Sequence, residues 1–118
     1  MIRRLALALS LSATPMWAET VANAPQGELR VLDKITGQVT DLTLAAGETR
    51  EVGHLLIRLS ECRYPVDNPS GNAYGELTIT YRDQLNPAFQ GWMIASAPAL
   101  NAMDHPRYDV WMLRCITS

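Results

Sequence analysis

The stretch Tyr74-Gly75-Glu76-Leu77-Thr78-Ile79-Thr80-Tyr81-Arg82 alternates apolar and polar side chains with a period of two. Leu77, Ile79 and Tyr81 share one face; Glu76, Thr78 and Thr80 share the other. Successive side chains of an extended chain point to opposite faces, so the stretch reads as a half-buried strand. It is bounded upstream by a loop over 63–73, with two prolines, a glycine and two asparagines, and downstream by the turn around Asn86-Pro87.

The same period recurs on both sides. In His54 to Cys62, Leu55, Ile57 and Leu59 oppose Leu56, Arg58 and Ser60. Glu28 to Lys34 and Gln38 to Leu44 flank the turn Thr36-Gly37 and predict a hairpin. Ala45 to Glu48 is a second turn, and Thr49 to Val52 a short strand that Gly53 ends. Phe89 to Ser96 is apolar enough for a central strand, and Tyr108 to Ile116 is the last one. Between these two, Ala97 to Met103 predicts one short helical turn with Pro98 near its start and Ser96 as its cap. Six or seven short strands without a repeat or a second domain predict an all-β fold over 28–118, a small β-sandwich or a barrel-like domain.

The first eighteen residues read as an export signal. Arg3 and Arg4 precede a short apolar run from Leu5 to Ala13, Thr14-Pro15 break it, and the small residue Ala18 closes it. The run is too short to anchor a chain across a bilayer, which leaves an uncleaved interfacial helix as the alternative. Ala22-Asn23-Ala24 matches the small-x-small cleavage pattern better than Ala18 does, but Pro25 behind it blocks the peptidase, so cleavage after Ala18 is expected. Glu19 to Gly27 is then a flexible lead-in, small, polar and unable to bury enough area to order itself. The expected location is the periplasm.

Without the signal, 8 basic and 12 acidic side chains remain, a net charge of −4. Lys34 is the one lysine, and the arginines are scattered singly. Nucleic acid and anionic lipid both require clustered cations, so neither is an expected partner. A domain of about 100 residues is marginal in its own burial, and two cysteines in an exported chain supply a staple. Cys62 and Cys115 are therefore expected to pair; metal ligation or two free thiols are the other uses open to them.

No catalytic set stands out. His54 and His105 lack the close ligand spacing of zinc sites and read as a strand-edge and a turn residue, so no metal or other cofactor is expected. Ser96 lacks the glycines of a nucleophile elbow, although a set of Ser96, His105 and Asp104 or Asp109 can be drawn on paper. Glu48 with Glu51, and Asp104 with Asp109, read as solvated rims. The unusual feature is a cluster of Trp92, Met93, Met103, Tyr108, Trp111 and Met112 within about twenty residues. Such residues fill cores and also make contact surfaces. In a strand Trp92 and Met93 must face opposite sides, as must Trp111 and Met112, so one of each pair can fill the core; the other is either left for a partner or absorbed into the core as well. Trp92, Met93, His105, Tyr108 and Trp111 are the interface candidates.

The run from Gln90-Gly91-Trp92-Met93 through His105-Pro106-Arg107-Tyr108-Asp109-Val110-Trp111, with Cys115, resembles the signature of an alphaproteobacterial exported family, domain of unknown function 2155. Leu32-Asp33-Lys34, the Thr36-Gly37 turn and Cys62 resemble it as well. The resemblance implies a periplasmic domain without assigned catalytic residues. It further implies a supernumerary, non-catalytic subunit docked on the periplasmic face of respiratory complex I, the proton-pumping NADH:quinone oxidoreductase. The partners would then be that complex's membrane-embedded subunits, and the domain would sit at the inner membrane without an anchor of its own.

Overall fold

The computed structural model describes residues 19–117. The expected signal over 1–18 lies outside the described residues. Eight strands and one 3₁₀ turn make up the described chain. They are β1 (Val21–Ala24), β2 (Gln26–Asp33), β3 (Val39–Ala45), β4 (Thr49–Val52), β5 (Leu55–Pro65), β6 (Tyr74–Tyr81), β7 (Phe89–Ile94) and β8 (Tyr108–Ile116). Among the described residues no helix is long and apolar enough to cross a membrane.

The strands form two antiparallel sheets. One has the order β1-β5-β6-β7, with β4 also paired to β5; the other has the order β3-β2-β8. The sheets pack face to face as a small sandwich. Leu55, Ile57, Leu59, Leu77 and Ile79 from the first meet Leu29, Leu44, Val31, Val110 and Met112 from the second, all buried. The alternating residues that predicted β5 and β6 are the ones turned inward.

Two β-bulges correct the phase of the pattern. In β5 the register slips between Leu59 and Glu61, and in the β2–β8 pair it slips between Glu28 and Leu29. An unbroken period of two from Leu59 would turn Glu61 inward, and one from Met112 would turn Arg114 inward. The bulges leave both charged residues outside and bury Cys62 and Cys115 instead. These two form the expected disulfide, with Cα atoms 5.8 Å apart, and it ties one sheet to the other.

Three expectations are corrected. The lead-in over 19–27 is not a free tail: Val21–Ala24 pairs with β5 in register Val21↔Pro65 to Ala24↔Cys62, and β2 begins at Gln26. Ladder hydrogen bonds order a segment that has too little apolar area to order itself. His54 lies not on a strand edge but in the two-residue turn Gly53-His54, between Val52 and Leu55. The 3₁₀ turn Pro98–Asn101 starts after Ala97 without a side-chain cap, so Ser96 does not cap it.

Candidate functional site

The five candidate interface residues do not form one surface. Met93 and Tyr108 are in the core. The hydroxyl of Tyr108 accepts the His54 backbone N–H at 3.2 Å and so ties the end of β8 to the β4–β5 turn. Both residues are therefore removed as interface candidates. Trp92 and Trp111 are each half-buried on the outer side of their own strand, beside a buried methionine, but the two strands belong to different sheets. Trp92 lies on the outer face of the five-stranded sheet and Trp111 on that of the three-stranded sheet, on opposite sides of the sandwich.

His105 sits at one end. Its Nδ1 accepts the backbone N–H groups of Arg107 and Tyr108 at 3.0 and 3.2 Å, and its ring centroid is 4.6 Å from that of Tyr81. Beside it, Arg107 donates to Asp33 at 3.1 Å. That contact, with the N–H groups of Ile35 and Thr36, holds the Asp33 carboxyl below its ordinary value. The imidazole serves as the organiser of the turn into β8. Ser96 is at the other end: its N–H donates to Asn72 Oδ1, two residues before β6 begins at Tyr74. Tyr81 closes that strand seven residues after Tyr74, about 23 Å away at the rise of an extended chain. The set of Ser96 with His105 is thus not assembled. No three His, Cys, Asp or Glu residues come close enough to share a metal ion among the described residues.

A shallow, mostly apolar groove of about 270 Å³ lies on the Trp92 face, lined by Val21, Arg63, Tyr74, Trp92 and Ile94. Strand register explains how distant residues meet there. Arg63, Tyr74 and Ile94 lie side by side across β5, β6 and β7, and Glu61, Glu76 and Trp92 form the adjacent row. The groove closes at one edge only because β1 pairs with β5 and brings Val21 next to them.

Its walls are held from several sides. The Arg63 guanidinium lies 4.8 Å over the Trp92 ring while donating to Glu61 at 2.9 Å. Asn101 Nδ2 donates to the Trp92 carbonyl at 2.8 Å, and so the 3₁₀ turn covers part of the open edge of β7. The Tyr74 hydroxyl donates to Glu19 at 2.6 Å and accepts from Asn72 at 3.2 Å. The carboxylate and partial burial push the Tyr74 hydroxyl above its ordinary pKa, so it stays a donor. Sequence reasoning singled out Trp92 and missed Val21, Arg63, Tyr74 and Ile94. The signal available was the outward set of each strand, but only register could align the sets.

The model of a bacterial family, described as an uncharacterized protein conserved in bacteria (DUF2155), matches residues 27–115. That is about three-quarters of the chain. The chain belongs to this family. A relative from Rickettsia prowazekii (strain Madrid E), described as uncharacterized, is 33% identical over 96 residues, 79% of this chain and 62% of that protein. The chain thus spans less than two-thirds of that relative's length. No solved structure matches this DUF2155 chain.

Proposed function

We propose that this DUF2155 domain is a non-catalytic accessory subunit docked on the periplasmic face of respiratory complex I, where it stabilises the membrane-embedded part. The resemblance of the Gln90–Trp111 run is the reason for naming that complex. The observation that supports a docking role is the apolar groove around Trp92. It is a concave patch of aromatic and aliphatic side chains on a domain whose interior is already filled. Aromatic and arginine side chains on a half-buried face are what protein contacts use as anchors. On this reading the domain leaves the cytoplasm through its signal and reaches the inner membrane only through the complex.

The test is a pull-down of the tagged mature protein from gently solubilised membranes, with co-purifying chains identified by mass. Complex I subunits recovered in fixed proportion support the accessory role. Recovery of the protein alone, beside demonstrably intact complex I, removes it. A second reading, a free periplasmic module for an envelope component or small ligand, is favoured by one feature of the same groove. Its single cation, Arg63, stands beside four apolar or aromatic residues, the mix that small-ligand clefts use. A soluble, unaccompanied protein is the outcome that reading expects.

A further inference from the structure

We infer that the Cys62–Cys115 disulfide is a site of reversible S-thiolation with a fixed direction: a low-molecular-weight thiol attacks Cys115 Sγ, and Cys115 carries the adduct. The site lies apart from the Trp92 groove and does not depend on the docking role proposed above.

The two sulfurs stand in different surroundings. Cys62 is fully buried. A Cβ on Gly27 would lie 3.1 Å from Cys62 Sγ and 3.0 Å from both Leu59 Cδ2 and Met112 Cε, so this sulfur is packed among core side chains. Cys115 keeps 9% of its surface exposed, one residue before the end of β8. Its Sγ is 3.3 Å from the Arg63 carbonyl oxygen, near the end of β5. Beside Cys115 an open cavity of about 450 Å³ is lined by Pro69, Ser70, Leu113, Arg114, Cys115 and Thr117. Here β8 is the edge strand of its sheet, with β2 on its other side, so no further strand closes that cavity.

A thiolate displaces one sulfur of a disulfide from the other, so access decides which of the two it bonds to. The cavity leads to Cys115, and the core bars the way to Cys62. The entering sulfur bonds to Cys115 Sγ as the Cys62–Cys115 bond breaks. The electron pair of that bond leaves with Cys62 Sγ, which takes a proton from water. One disulfide is exchanged for another, and no oxidant or reductant is consumed. Return attack by the Cys62 thiolate on Cys115 Sγ expels the thiol and restores the tie between the sheets. Attack by a second thiol on the sulfur of the first frees Cys115 instead and completes the reduction, with the two thiols leaving as their own disulfide.

The experiment treats the folded, disulfide-bonded protein with glutathione as the probe, quenches in acid after short intervals and locates the adduct by peptide mass spectrometry. The adduct is expected on Cys115, about tenfold over Cys62, because access selects the sulfur. Its rate should stay flat across urea concentrations below the unfolding transition, since the cavity is open in the folded state. Ser70→Phe, which narrows the cavity, should slow the reaction about fivefold without lowering the thermal midpoint. An adduct mainly on Cys62, or shared equally in the folded protein, overturns the direction of attack. A rate that tracks the unfolded fraction overturns the site, because the thiol would then reach the bond only through global unfolding. A rate indifferent to Ser70→Phe removes the cavity as the entrance and overturns the inference with it, as does the absence of any adduct.

Discussion

Between the sheets, the Met112 side chain of β8 fills the place that a side chain on Gly75 of β6 would take. A Cβ on Gly75 would lie 2.5 Å from Met112 Sδ and 3.3 Å from its Cγ. Met112 is itself buried, with Leu59 Cδ1 3.6 Å from the same point. The sulfur cannot swing away without displacing the core. Gly75→Ala is therefore expected to destabilise the domain by about 1–3 kcal/mol through overpacking. Urea unfolding of the purified protein measures this as a lower midpoint at unchanged slope. A midpoint equal to the wild type would mean that the sheets are not packed this closely.

The disulfide is expected to contribute about 4 kcal/mol. Its cysteines are 53 residues apart in sequence, and closing a loop of that length restricts the unfolded chain by roughly that amount. The double variant Cys62→Ala with Cys115→Ala should lose most of this, and reduction of the wild type should do the same. Denaturant unfolding with and without a reductant is the measurement. Equal stability in both would remove the staple from the account of the fold.

The Asp33–Arg107 contact predicts a particular acid sensitivity. The folded-state pKa of Asp33 is depressed below its ordinary 3.8, first by the Arg107 hydrogen bond. The ionised carboxylate therefore favours the folded state. Its contribution is complete above the ordinary value and is lost as pH falls through the lower folded value. Asp33→Asn should be less stable than wild type at pH 7, and the difference should shrink as the pH drops below the ordinary carboxylate range. Chemical unfolding of both proteins across acid pH tests the sign; a gap that widens on acidification contradicts it.

Strand β1 is expected to contribute although it is four residues long. It pairs with β5 and buries Ala24. A chain starting at Pro25 loses those ladder bonds and exposes the upper half of β5, at a cost on the order of 1–3 kcal/mol after the entropy of ordering is subtracted. Thermal unfolding should show a midpoint lower by several degrees, since 1 kcal/mol corresponds to roughly 4–8 °C in a domain of this size. Hydrogen exchange along Cys62–Pro65 should rise in the same variant. Unchanged exchange there would show that β1 does not protect β5.

The elements were legible where the pattern was regular. Leu77, Ile79 and Tyr81, or Leu55, Ile57 and Leu59, needed only the period of two to be assigned to an inner face. The pattern misled where a non-local contact overrode it. Val21–Ala24 has nothing in its own composition to make it a strand and becomes one because β5 offers an unpaired edge. Tyr108 looked like a surface aromatic and is buried because its hydroxyl finds the backbone of His54 across the sandwich.

The sequence by itself determined an all-β chain, the places of its turns and the pair of cysteines available to staple it, because alternation and turn chemistry are local properties of neighbouring residues. Only the tertiary structure decided which strands share a sheet, and with that it separated Trp92 from Trp111. It also decided that bulges at β5 and β8 turn Cys62 and Cys115 inward, against the phase of their own strands. Register is a property of two strands at once, and no single stretch carries it. The groove at Trp92 exists because Arg63, Tyr74 and Ile94 happen to be partners across three strands.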